Sequence, residues 1–180
     1  RKLTLATTRR YNMANTTFTG PVRSESTLKT VSKNATTGTI TEVTTLGDAP
    51  VSLADADVTL TNATHSGRIL LVPDGGQDNT YTLPAPIAGS VFRFVYAGGA
   101  ADATDAIIVT PGNTNFYVGG VTFLDSDNEV SSVFSDGNSN SSIQINVPAG
   151  FDITIIGKDS TNYQIFGNVT SATAPAFADQ

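Results

Sequence analysis

From residue 57 onward the chain is a run of short apolar or alternating segments, each cut off by residues that turn a backbone. The segments are VTLT (58–61), RILLVP (68–73), YTL (81–83), SVFRFVYA (90–97), AIIVT (106–110), FYV (116–118), VTFL (121–124), VSSVF (130–134), SIQINV (142–147), FDITIIG (151–157) and YQIFG (163–167). Between them stand Asp74-Gly75-Gly76, Pro84-Ala85-Pro86, Gly98-Gly99, Pro111-Gly112-Asn113, Gly119-Gly120 and Asp136-Gly137-Asn138. Such residues tolerate positive φ or preset a bend. Pieces this short suit strands, and no stretch repeats with helical period. The pattern predicts an all-β chain, an antiparallel β-sandwich or jelly-roll-like body with an extended N-terminal arm.

Alternation assigns the faces. Phe92, Phe94 and Tyr96 share one side of their segment, with Val91, Arg93 and Val95 on the other. Ile143, Ile145 and Val147 are expected to point inward, as are Phe151, Ile153 and Ile155. The tail after Gly167, NVTSATAPAFADQ, reads as irregular.

Charge divides the chain. Arg1, Lys2, Arg9, Arg10, Arg23, Lys29 and Lys33 stand against Glu25 alone, so residues 1–33 carry +6; the whole chain carries −6, which leaves −12 on residues 34–180. A basic front on an acidic body predicts a separate partner for the front. The expected organisation is an extended basic arm (1–26), a Thr-rich extended or hairpin segment (27–56) turning at Asn34 to Gly38, and a β-sandwich body (57–180). The one methionine, Met13, followed by Ala14, has the look of a translation start with twelve residues ahead of it.

The chain has 0 cysteines, which removes disulfides, thiolate metal sites and thiol nucleophiles. No apolar run approaches the ~18–20 residues of a membrane span, and the first twelve residues lack a signal-peptide core. A soluble protein made in a cytoplasm is expected. His65, the 1 histidine, lies in TNATHSGR without a G-x-S-x-G nucleophile elbow and reads as a surface turn residue. Asp125, Asp127 and Glu129 could fold around calcium, but Val130 stands where an EF-hand loop needs glycine, so a solvated loop is expected. Arg9-Arg10-Tyr11 has the cation–aromatic mix of single-strand binders, yet the cations are otherwise sparse and the body would repel nucleic acid. Neither nucleic acid, membrane nor cofactor is expected, and no catalytic residue is nominated.

Two stretches carry a resemblance. MANTTFTGPVRSE (13–25) is similar to the opening of head proteins of tailed bacteriophages. RILLVPDGGQDNTYTLPAPIAGSVFRFVYAGG (68–99), followed by AIIVTP and DITIIGKDSTNYQIFG, resembles the body of phage capsid decoration, or cement, proteins. That resemblance implies a non-enzymatic virion protein on the outer capsid surface that staples neighbouring capsomers. It further implies two partners, the major capsid protein and the chain itself as a homotrimer. The arm would supply the capsid contacts: Arg1, Lys2, Leu3, Leu5, Arg9, Arg10, Tyr11, Phe18, Arg23, Lys29 and Lys33. One alternative is a tail-fibre or receptor-binding module holding a host glycan near Asn113, Asn115 and Tyr117; another is a small hydrolase built on His65.

Overall fold

A computed structural model describes residues 30–43, 49–99, 103–125 and 129–180. Among them run β1 (Thr30–Lys33), β2 (Ile40–Val43), β3 (Val51–Ser52), β4 (Val58–Thr59), α1 (Asn62–His65), β5 (Arg68–Val72), β6 (Asn79–Thr82), β7 (Val91–Tyr96), β8 (Ala106–Val109), β9 (Phe116–Asp125), β10 (Val130–Phe134), β11 (Ser142–Ile145), β12 (Pro148–Gly157), β13 (Asn162–Ser171) and β14 (Ala176–Ala178). The chain divides into two units, Arg1–Gly47 and Asp48–Gln180.

In the first unit β1 and β2 form an antiparallel hairpin, with Thr30 opposite Val43 and Lys33 opposite Ile40. Its turn closes on Asn34, whose side chain accepts from the Thr36 and Thr37 amides at 2.8 and 3.0 Å. Gly38 completes it at φ 72°, a left-handed position that favours glycine.

The second unit is all-β and sandwich-like, as the segment spacing predicts. A seven-stranded sheet runs β10-β9-β13-β12-β7-β5-β3 and a five-stranded sheet runs β14-β11-β8-β6-β4. The pairing differs from the antiparallel expectation: both sheets are mixed. From β3 to β8 successive strands fall alternately on the large and the small sheet, and each pairs in parallel with the strand two before it. Parallel neighbours need a crossover, and here the crossover is a strand of the opposite sheet. The chain therefore winds as a flattened coil. From β9 on it changes habit: β9–β10, β12–β13, β12–β7, β11–β8 and β11–β14 are antiparallel, and only β13–β9 is parallel.

One core joins the sheets. Leu70, Phe92, Phe94, Ile153, Ile155, Tyr163 and Ile165 of the large sheet bury against Tyr81, Ile108, Ile143 and Ile145 of the small one. Tyr117 and Tyr163 point inward yet keep their hydroxyls paired, donating to the Ile108 and Pro84 carbonyls at 3.2 and 2.8 Å. A buried phenol needs such an acceptor.

Three local expectations are corrected. FYV and VTFL are one strand, β9, because Gly119-Gly120 is a place of close approach and not a turn: a Cβ on Gly120 would strike the Val133 carbonyl of β10. The tail is not irregular, since β13 continues through Gly167 (φ 154°) to buried Ser171, and β14 pairs with β11. Gly167 lets the strand pass because a Cβ there would meet the Asp152 carbonyl. Val147 does not continue its strand inward; it sits half-buried at φ 45°, where Asp105 accepts its amide at 2.9 Å.

Candidate interaction face

The densest polar chemistry lies where the coil turns from the large sheet to the small one. The register Val58↔Tyr81↔Ile108 puts Asp55, Asp78 and Asp105 at the same place in three successive turns, in DADVTL, DNTYTL and DAIIVT. Their carboxylates bind the adjoining turn. Asp55 accepts from Asn79 Nδ2 at 2.7 Å and the Gly76 amide at 3.0 Å, and Asp78 accepts the Asp105 amide at 2.8 Å. Asp105 accepts Gln144 Nε2 at 2.6 Å and the Val147 amide. Asp57 and Asp74 are likewise engaged, by the Thr80 amide and the Tyr96 hydroxyl. The Asn79 and Gly76 hydrogen bonds hold the Asp55 carboxyl below its ordinary range, while burial, and then the Asp55 charge, pushes the Tyr81 phenol to about 12. A recess of about 10 Å³ beside them, lined by Gly75, Asn79, Tyr81 and Asp105, has room for little more than a single water. These acids tie turns together.

Of the residues nominated from the sequence, His65, Asn113 and Asn115 fasten turns in the same way. His65 ends α1, and its Nδ1 accepts from the Thr61 amide at 3.0 Å, closing its own turn. Tyr117 is buried in the core and cannot line a glycan site. Asn113 holds Gln180 and Ser141, and Asn115 Nδ2 donates to the Thr161 carbonyl at 3.2 Å. Of the calcium candidates, Asp127 lies outside the described residues, among which no group of three metal-ligating side chains occurs. Of the capsid-contact residues, Arg1, Lys2, Leu3, Leu5, Arg9, Arg10, Tyr11, Phe18, Arg23 and Lys29 lie outside the described residues; Lys33 ends β1.

Among the described residues, large apolar side chains stand exposed on the outer face of the large sheet, which sequence reasoning missed. One row crosses it in register: Ile69 beside Arg93, Arg93 beside Thr154, Thr154 beside Phe166. Phe166 is level with Gly120 of β9, one residue beyond the Ile165↔Gly119 pair, and Gly120 pairs with Phe134 of β10. Gly120 is bare, so the Phe134 ring lies over it. Ile69, Phe166 and Leu124 are each more than a third exposed on this face, and Val130 and Phe134 reach 69% and 71%. At its centre Arg93 grips Asp152 with two hydrogen bonds, Nε to Oδ1 at 2.9 Å and Nη2 to Oδ2 at 2.5 Å. That hydrogen bonding draws the Asp152 carboxyl below its ordinary value and raises the guanidinium. An open depression of about 280 Å³ runs from this pair to Phe166 and Asn168. Large apolar side chains thus stand exposed on this face, interleaved with Arg93 and Thr154.

β10 adds an edge. Among the described residues it pairs with β9 alone, and the amides of Asp125 and Ser135 bond the Glu129 and Gly119 carbonyls. The alternation of an antiparallel ladder then points the backbone groups of Ser131 and Val133 toward β9 and those of Val130, Ser132 and Phe134 outward. The signal was present in the sequence: VSSVF ends in a phenylalanine that its own alternation places on the same side as Ser132, away from Val133.

No protein-family model matches the chain, and a search of curated proteins finds no match.

Proposed function

We propose that this chain is a non-enzymatic structural protein of a tailed-bacteriophage virion, a decoration protein that binds the outer surface of the head and staples neighbouring capsomers. The observation that carries the reading is the outer face of the seven-stranded sheet, on which the apolar side chains of Phe166, Leu124, Val130 and Phe134 stand exposed. It suits docking on a protein surface. The polar residues that could serve chemistry or sugar binding, His65, Asn113, Asn115 and Asp105, are engaged in holding turns. The sequence resemblance supplies the virion context, the major capsid protein as partner and the trimer. The basic front supplies a charge opposite to that of the body, and arms on each subunit would add by effective concentration. A ligand that binds only the assembled shell stabilises it by mass action.

Co-sedimentation with expanded heads tests this. The full chain is expected to pellet with heads, and a chain lacking residues 1–26 to stay in the supernatant while retaining its β-sheet circular dichroism. Equal binding by the shortened chain refutes the role of the arm. Failure of the full chain to bind any head, together with glycan binding by the body, replaces the reading with that of a receptor-binding module.

A further inference from the structure

We infer that the open edge of β10 is a strand-addition site, and that its occupant is the β1–β2 hairpin of a second copy of this chain. The inference deepens the self-association contained in the proposed function and does not depend on head binding.

Consider the edge first. Sheet proteins blunt their edges with very short strands, lysine, proline or bulges. The other edges of the sandwich obey: β3 and β4 are two residues long and β14 is three. β10 does not. Its five residues, VSSVF, hold no charge and no proline, and its register with β9 runs without a bulge. Val130, Ser132 and Phe134 offer three amides and three carbonyls to any strand laid beside them, with two large apolar side chains on the outer face.

Now the occupant. Among the described residues β1 and β2 pair only with each other. A lone two-stranded hairpin is marginal in water and gains from joining a larger sheet. Charge selects it as well. The hairpin segment 27–43 carries Lys29 and Lys33 against one acid, Glu42, a net +1, whereas LDSDNEV (124–130), leading into β10, carries Asp125, Asp127 and Glu129. A second β10 would instead bring those three acids near its own acids and Asp136. Opposite charges favour the hairpin and like charges oppose edge-to-edge pairing of β10.

Reach selects a second copy. Seven residues separate Val43 from Val51, a span of at most ~29 Å when fully extended. β3 stands six strand positions from β10, and an added strand makes a seventh, ~33 Å at the ~4.8 Å inter-strand spacing. A neighbouring subunit has no such limit. If every copy gives a hairpin and receives one, the contact is head-to-tail and closes into a ring when the rotation permits.

The absence of cysteine permits a direct test with the full chain, without heads. Chains with Thr30→Cys, Val31→Cys or Ser32→Cys, each carrying one tag, are mixed with Ser132→Cys chains carrying another and oxidised. The expected product, at one or more of the three positions, is a disulfide joining the two tags. Ser132→Pro supplies the second measurement. It removes an outward amide while leaving the bonds to β9, and edge strands accept proline. Ser132→Pro is expected to weaken self-association in sedimentation velocity by about tenfold or more, the loss of at least one good interaction, with an unchanged circular dichroism spectrum. Four outcomes overturn the inference: a monomeric full chain, cross-links formed only within chains carrying both cysteines, cross-links only between Ser132→Cys chains, or undiminished association of Ser132→Pro. Because heads are absent, loss of head binding by an assembled protein counts against the decoration role and not against this contact.

Discussion

The coil of β3 to β8 and the largely antiparallel β9 to β14 share a core but treat their boundaries in opposite ways. The coil ends in the two-residue strands β3 and β4 and fastens its turns with aspartates in register. The later half ends the large sheet with β10, five residues long, without charge or proline. A chain able to close one side so thoroughly has left the other available. The lesson is that the open edge is where to look for the partner.

The harshest test of this comparison is whether the halves are one folding unit. Ile153 of β12 lies between Phe94 of the coil and Gly167 of β13, and is fully buried. Ile153→Ala is expected to cost ~2–5 kcal/mol, the transfer free energy plus a cavity. Urea unfolding followed by both circular dichroism and tyrosine fluorescence should still give one coincident transition at a lower midpoint. Two separate transitions would mean that the coil and the later strands are independently stable.

A smaller effect probes the seam between them. Asp105 stands in the last coil turn and accepts from Gln144 and Val147 of the later half. Asp105→Ala orphans both donors and is expected to cost ~1–3 kcal/mol, visible as a lower melting temperature. A neutral result would show that the turn ladder does not fasten the two halves.

Acid sorts the carboxylates more gently. Asp55, Asp136, Asp152 and Asp159 all have lowered pKa values, held by hydrogen bonds from Asn79, Ser139, Arg93 and Asn162 respectively. A depressed folded pKa contributes stability that is fully present above the unfolded value, ~3.9 for aspartate. It is lost as pH falls through the folded value. Thermal scans should therefore show melting temperatures dropping progressively below about pH 4. Asp152→Asn should flatten part of that slope. An unchanged slope would mean that the exposed Arg93–Asp152 pair is fully screened, as surface pairs often are.

The local half of the fold was legible in the sequence. Alternation located nearly every strand of the body and put Phe92, Phe94, Ile153 and Ile155 inside, because the side-chain period belongs to each segment alone. Pairing is not a property of a segment. The parallel coil is written only in the likeness of DADVTL, DNTYTL and DAIIVT, whose aspartates stand at 55, 78 and 105, and uneven turn lengths obscured it. Glycines misled for a related reason: Gly119, Gly120 and Gly167 sit within strands, where a neighbouring backbone leaves no room for a Cβ. The apolar face escaped notice because alternation says which side chains share a side, and not which of the two sides another element covers.

The gentlest change discriminates most sharply. Phe134→Lys alters a side chain that is 71% exposed and should move the stability of an isolated subunit by less than ~0.5 kcal/mol. A residue kept for folding cannot be so replaced without loss. The same lysine sets a desolvation cost and a bulky solvated head beside the free amides of β10, the device by which other proteins guard an edge. It also brings a cation toward the strand holding Lys33. An unchanged melting temperature for the dilute subunit, coupled with loss of self-association, would show that the phenylalanine is retained for contact between chains. Equal loss of both would return Phe134 to the core, as a ring needed to cover Gly120.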